Sequence, residues 1–244
     1  MTSVRGFVAG VWRILPTYNE ADNLDPIVQA VLPRLEATGL PYTVLVVDDG
    51  SPDGTGEIAD RLATELPPVR VLHRAGKQGL GRAYLAGFEI ALDAGADLVM
   101  EMDADFSHDP ADVPRLIAAA GAADLALGSR YVTGGGVENW GPLRRLISRG
   151  GCAYARLVLG IPVRDLTGGF KCFNRRVLEG LDLSQVHANG YGFQIELTYK
   201  AVRAGYTVTE VPILFGQRRM GVSKMTPPIA LEAVWKVLAL RLRR

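Results

Sequence analysis

Short runs of β-branched and aliphatic residues recur along the first half of the chain, at 11–15, 42–48, 69–73, 97–102 and 124–128. Each is separated from the next by a longer segment with helical periodicity, at 20–37, 54–65, 78–94 and 110–120. Parallel strands need a long crossover, usually helical, so this alternation predicts an α/β fold: a mostly parallel sheet covered by helices. Asp53 and Asp109 are expected as N-caps, and Pro110 suits a first helical position. With 48% hydrophobic residues in 244, the chain can bury one sizeable core. Ligands of open α/β sheets bind beyond the carboxyl ends of the strands, so the loops after 15, 48 and 102 are expected to meet at one crevice.

The second half is less regular. It reads as a glycine-rich loop at 134–136, a helix over 143–159, a turn from Asp165 to Gly169, a helix over 190–204 and a strand over 207–213. A loop holding Arg218, Arg219 and Lys224 leads to a last helix over 227–243, whose apolar and basic residues predict an amphipathic element. The expected organisation is therefore one catalytic domain over 1–226 and an appended helix over 227–244 that faces a membrane or a partner.

Several function classes are disfavoured. A net charge of +1 gives no global attraction for nucleic acid. Cys152 and Cys172 are neither closely spaced nor joined by histidines in a zinc pattern, and read as buried thiols. The segment Gly79-Leu-Gly81 lacks the third glycine of a dinucleotide fingerprint, and no phosphate loop or serine-nucleophile elbow occurs. His73, His108 and His187 have no nucleophile beside them and read as structural. The first residues lack the pattern of a signal peptide, and no run reaches the ~20 apolar residues of a membrane span. The expected location is the cytosol, with peripheral contact at the cytoplasmic face of a membrane or through a membrane-embedded partner.

The chemistry-bearing residues lie at predicted strand ends. Asp103 and Asp105 follow directly on the apolar run ending at Met102, so their oxygens can face one hard cation such as Mg²⁺ or Mn²⁺, with a diphosphate completing its shell. Asp48 and Asp49 end another strand, where one carboxylate can accept hydrogen bonds from a ribose or base. Tyr18, in the polar turn 16–20, can stack on a base. Arg130 falls on the same predicted edge, and Arg144, Arg145, Ser148 and Arg149 crowd the start of the 143–159 helix, where guanidinium groups suit phosphate.

Taken together, Pro16-Thr-Tyr-Asn-Glu20, Asp48-Asp-Gly-Ser-Pro-Asp-Gly-Thr55, Gly79-Leu-Gly81, Asp103-Ala-Asp105 and Asp165-Leu-Thr-Gly-Gly-Phe170 resemble glycosyltransferase family 2. Ser148-Arg-Gly150, the stretch from Gly190 to Glu196 and the stretch from Arg218 to Lys224 are similar to its dolichol-phosphate and polyprenol-phosphate mannosyltransferases. The resemblance implies a GT-A nucleotide-diphospho-sugar transferase fold that holds GDP-mannose through Pro16, Tyr18, Glu20, Val47, Asp49 and Ala104. It also implies metal ligation by Asp103 and Asp105, closure of Arg218 and Lys224 over the donor diphosphate, and reception of a polyprenyl phosphate by Arg130, Arg144 and Ser148. Two departures stand out: Trp12-Arg13 interrupts the aliphatic first strand, and Gly216-Gln217 replaces a branched apolar residue and an acid. A UDP-glucose-dependent lipid-phosphate glucosyltransferase and a non-catalytic nucleotide-sugar module are the alternatives.

Overall fold

The computed structural model describes residues 10–186, 190–217 and 227–242. Its strands are β1 (Val11–Thr17), β2 (Tyr42–Asp48), β3 (Val69–His73), β4 (Leu98–Glu101), β5 (Leu125–Ser129), β6 (Gly136–Val137), β7 (Lys171–Asn174), β8 (Val208–Pro212) and β9 (Leu214–Phe215). Its helices are α1 (Ala21–Glu36), α2 (Thr55–Glu65), α3 (Leu80–Asp93), α4 (Val113–Ala122), α5 (Pro142–Leu159), α6 (Arg175–Gly180), α7 (Tyr191–Arg203) and α8 (Pro227–Leu242). Seven strands form one sheet in the order β3-β2-β1-β4-β7-β5-β8, and β6 pairs with β9 in a small ribbon. All neighbours in the large sheet are parallel except β7, which runs against both β4 and β5.

Alternation along the strands sends residues to two apolar layers. Val11, Leu15, Val44, Val46 and Met100 pack with Leu24, Ile27 and Val31 of α1 and Leu116 and Ile117 of α4. Trp12, Ile14, Leu45, Val47 and Val99 face the other way, onto Ala83, Tyr84 and Phe88 of α3 and Phe193 and Leu197 of α7. A third cluster joins Leu127 to Ala155 and Leu159 of α5, Ile195 of α7 and Val237 of α8. The order turns outward in both directions from β1: the chain passes to β2 on one side and later to β4 on the other. A crevice opens at such a switch point.

The expected strands and helices of the first half are present within a few residues, and Asp109 accepts from the Ala111 backbone N at 2.8 Å at the start of a short 3-10 turn, Pro110–Asp112. Asp53 corrects the expectation made for it. Gly54 occupies the cap position of α2 with φ 89°, and Asp53 instead accepts from the Thr55 N and Oγ1 and from the Ala21 N, tying the start of α2 to the start of α1. The last helix is also not sharply two-faced. Val237 is buried on the domain while Trp235 and Leu242 are exposed, so apolar residues occupy more than one side. Lys236 and Arg241 fall about 140° apart around the axis at 3.6 residues per turn.

The strand β7 has no counterpart among the expected elements, since four residues with a lysine and an asparagine carry too little apolar pattern. Its Lys171 is fully buried as the ladder partner of the equally buried Glu101. Burial lowers the Lys171 pKa to about 8 and raises that of Glu101 to about 7, with each group's charge opposing the shift of the other. Lys171 Nζ donates to the Gln194 backbone O at 2.8 Å and to its Oε1, which joins the sheet to α7.

Two consequences are measurable. A Cβ on Gly87 would lie 2.4 Å from Ile14 Cγ2, because α3 packs closely on β1; Gly87→Ala is expected to cost about 1–3 kcal/mol of stability in urea titration. Lys171→Met leaves Glu101 buried beside no cation and is expected to cost about 3 kcal/mol or more, part of which Glu101→Gln recovers in the double variant.

Candidate functional site

The crevice at the switch point is a cavity of about 310 Å³ lined by Pro16, Thr17, Tyr18, Glu20, Asp49, Lys77, Gly79, Leu80, Ala83, Asp103, Ala104, Asp105, Thr167, Gly169, Gly190 and Gln194. The turns after β1, β2 and β4 thus converge as their positions at parallel strand ends predict. Pro16, Tyr18, Glu20, Asp49, Asp103, Ala104 and Asp105 all reach it. Val47 does not. Its side chain is fully buried in the layer beneath α3, since strand alternation turns it into the core, and it is absent from the lining.

Local hydrogen bonds fix each acidic turn. Asp48 accepts from the Ser51 N at 3.2 Å and from Ser51 Oγ at 2.5 Å, closing the turn that carries Asp49. Asp49 is 4% exposed; its Oδ1 is paired with Arg74, and its Oδ2 accepts from the Gln78 N at 3.4 Å. Asp105 Oδ1 accepts from the Ser107 N at 3.0 Å across Phe106, which holds φ 63°. A left-handed phenylalanine is strained by about 1–3 kcal/mol, and the turn it makes aims Asp105 back at the cavity.

The donor set suits a hard divalent ion. Asp103 and Asp105 supply carboxylate oxygens at one rim, and no group of three or more His, Cys, Asp or Glu suited to hold an ion occurs among the described residues. Magnesium is held in this way, by one or two carboxylates with water and substrate phosphate filling the remaining positions. Beneath the rim, Arg13 is fully buried in β1, and its guanidinium nitrogens make no hydrogen bond among the described residues. Burial lowers its pKa to about 10, while Tyr84 and Asp103 act in the opposite direction. The chain thus keeps a cation under its acidic rim where an aliphatic residue was expected.

A second cluster adjoins the first. Arg130 follows β5 and is clamped by Asp165, with Nε to Oδ2 at 2.7 Å and Nη2 to Oδ1 at 2.6 Å. Its Nη2 also donates to Thr167 Oγ1 at 2.7 Å, and Thr167 lines the main cavity. Asp165, fully buried, holds the Arg130 pKa above its ordinary value despite burial. Trp140 is flanked by two cations, with the Arg144 guanidinium 3.9 Å and that of Arg130 5.8 Å from its ring centroid. Ser148 Oγ accepts from Tyr131 Oη at 2.6 Å. Arg130, Arg144 and Ser148, distant in sequence, therefore share one neighbourhood at the start of α5. Arg218 and Lys224 lie outside the described residues, as do Arg219 and His187.

His108 packs between Phe170 and Phe215 at ring distances of 5.0 and 5.2 Å. Burial lowers its pKa to about 4, with Asp105 pulling upward. Both cysteines are buried free thiols, and burial pushes Cys172 up to about 12. Sequence reasoning missed Lys77, Thr167 and Gln194 on the cavity wall, and Asp165 as the partner of Arg130. Gln194 lies within the visible stretch from Gly190 to Glu196, but only the lysine buried in β7 explains its orientation.

Comparison with known proteins matches residues 13–182 to the model of Glycosyl transferase family 2. Over 227 residues the chain is 51% identical to the polyprenol monophosphomannose synthase of Mycolicibacterium smegmatis, covering 92% of this chain and 84% of that protein. It is 47% identical over 227 residues to the undecaprenyl-phosphate mannosyltransferase of Micrococcus luteus, covering 93% and 92%. Among solved structures, a glucosyl-3-phosphoglycerate synthase from Mycobacterium tuberculosis, in complex with Mn²⁺, uridine diphosphate and glucosyl-3-phosphoglycerate, superposes with a TM-score of 0.66 at 22% identity, covering 96% of this chain and 79% of that one. That likeness is one of fold, and its architecture is the GT-A type expected from the motifs. By the family model over most of its length and by two relatives near half identity across nearly all of it, the chain belongs to glycosyltransferase family 2.

Proposed function

We propose that this glycosyltransferase moves mannose from GDP-mannose to a polyprenyl monophosphate and inverts the anomeric centre. The observation that carries this reading is the junction of two sites: a cavity whose two strand-end carboxylates suit a divalent ion, and a phosphate-suited cation cluster joined to it through Thr167. The names of the two mannosyltransferase relatives support the sugar and the class of acceptor.

In this reading Tyr18 and Asp49 hold the nucleoside end of the donor, with Pro16, Glu20 and Ala104 forming the adjoining wall. Asp103 and Asp105 hold Mg²⁺ or Mn²⁺, which supplies Lewis-acid neutralisation of the diphosphate when bound. The acceptor phosphate is received by Arg144, Ser148 and Arg130, the last of them held in place by Asp165. One of its oxygens bonds to the anomeric carbon as the bond from that carbon to the diphosphate breaks, and the electron pair leaves with GDP. A phosphate is already ionised at neutral pH, so no strong general base is required. The protein's work is to bring two anions together in line. Arg218 and Lys224 take their diphosphate-closing role from the family resemblance, and Val47 contributes to the donor site through the strand it belongs to.

The acceptor explains a surface feature. On α5, Leu143, Leu146 and Ile147 are 68%, 71% and 57% exposed, interleaved with Arg144, Arg145 and Arg149. No helix among the described residues is long and apolar enough to cross a membrane. Apolar side chains set among arginines suit the boundary of an anionic bilayer, where a lipid phosphate lies at the same depth as the cation cluster. We place the protein peripherally at a cytoplasmic membrane face, with α8 against the bilayer or a membrane-embedded partner.

Transfer from radiolabelled GDP-mannose to a short polyprenyl phosphate in manganese buffer tests the reaction directly. Mannolipid and an equal amount of GDP are expected. Product from UDP-glucose alone selects the glucosyltransferase alternative, and donor uptake without GDP release selects a binding module. Asp105→Ala is expected to reduce turnover about a hundred-fold or more. For the membrane face, the double variant Leu146→Asp, Ile147→Asp removes two apolar side chains that contribute about 1.5–3 kcal/mol each when buried; its flotation with anionic liposomes should fall more than ten-fold, and equal flotation would remove α5 from the membrane contact.

A further inference from the structure

The segment from Arg74 to Gly79 crosses from β3 to α3 along the cavity, and it is fastened at both ends to one carboxylate. Arg74 Nη1 pairs with Asp49 Oδ1, the Gln78 N donates to Asp49 Oδ2 at 3.4 Å, and Arg74 Nη2 donates to Gln78 Oε1 at 2.9 Å. Lys77 lies between these anchors. It is exposed, lines the cavity, and holds its Nζ 4.1 Å from the centroid of the Tyr18 ring. Among the described residues that line the cavity, Lys77 alone carries a positive charge, and it shares that wall with Asp49, Asp103 and Asp105.

We propose that Lys77 is a ligand of the donor diphosphate, presented by the Asp49-anchored strap; this rests on the nucleotide-diphosphate reading above. The anchors fix the backbone while leaving the four-carbon stem free, so the ammonium can travel several ångströms without disturbing the strap. Its contact with Tyr18 is a cation–π interaction at an exposed site, which is weak beside a charge-assisted bond to phosphate. A diphosphate in the cavity therefore draws Lys77 off the ring. The same movement uncovers the Tyr18 face for the nucleobase, so base and diphosphate are admitted together. Asp49 thus acts twice, facing the nucleoside and holding the loop that delivers the cation.

Calorimetry of GDP binding in manganese buffer, on the full chain, tests this with wild type, Lys77→Met and Lys77→Arg. The methionine variant should bind GDP about ten-fold more weakly, as expected for loss of a bond to a charged group. Its affinity should also depend less steeply on salt, and arginine should restore most of the loss. The melting temperature without nucleotide should stay the same, because the side chain is exposed. Equal or tighter GDP binding by Lys77→Met, with wild type binding normally, would overturn the role of Lys77 and leave the donor reading standing. No GDP uptake by wild type would overturn both.

Discussion

Parallel pairing of β1 with β2 on one side and β4 on the other is what makes a site out of this sheet. The register sets Thr17 beside Asp48 and Ile14 beside Glu101. Strands that run the same way end at the same rim, so the turns carrying Tyr18, Asp49 and Asp103 emerge together although they lie far apart in sequence. A slip of one residue would exchange the faces of a strand, sending Val46 to the layer of Val47 and turning the acidic ends away from each other. The apolar layers on both faces forbid that slip. The large hydrophobic core thus determines the position of the few polar groups at its edge.

Gathering carboxylates at one partly desolvated rim is unfavourable unless each is answered nearby. The chain answers them with different devices. Asp48 is satisfied within its own turn by Ser51, Asp49 by Arg74 and Gln78, and Asp165 by Arg130. Deeper still, Arg13 and Lys171 set cations inside the sheet, one beneath the rim and one opposite Glu101. Both are held there against desolvation, which is why their proton affinities fall. Such buried charges contribute little net stability, and what they supply is a field that favours the ionised rim.

Much of this was legible in the sequence because it depends on local signals. Apolar runs ending in Asp-Asp-Gly or Asp-Ala-Asp specify a strand, its end and an acidic turn at once, and the helical periods between them require parallel order. What escaped depends on partners far away in the chain. Lys171-Cys-Phe-Asn174 becomes a strand because β4 and β5 leave a slot between them, and its lysine is tolerated because Glu101 and Gln194 surround it. Arg13 looks like a break in a strand until Asp103 is seen on the neighbouring turn. Asp53 was expected to cap its own helix, yet its second oxygen serves α1, a contact that only tertiary structure creates. Val47 illustrates the opposite limit: it belongs to the motif run that leads to the acidic turn, yet as a residue of β2 its side chain is packed in the core layer, and only the turn beyond the strand reaches the cavity.

The pairing of Arg130 with Asp165 bears on how the proposed acceptor site would work. A guanidinium clamped bidentately is rigid and mostly neutralised, so it orients a phosphate more than it attracts one. The attraction falls to Arg144, which lies over Trp140 at the exposed edge. A lipid monophosphate carries between one and two negative charges at neutral pH, whereas the glycosyl phosphodiester made from it carries one. A site of limited net charge therefore holds the substrate better than the product, and the fall in charge on transfer favours release of the lipid back to the bilayer. A fully uncompensated arginine cluster would bind both tightly and slow that step. In the proposed acceptor site the buried carboxylate of Asp165 thus has as large a part as the arginine it holds.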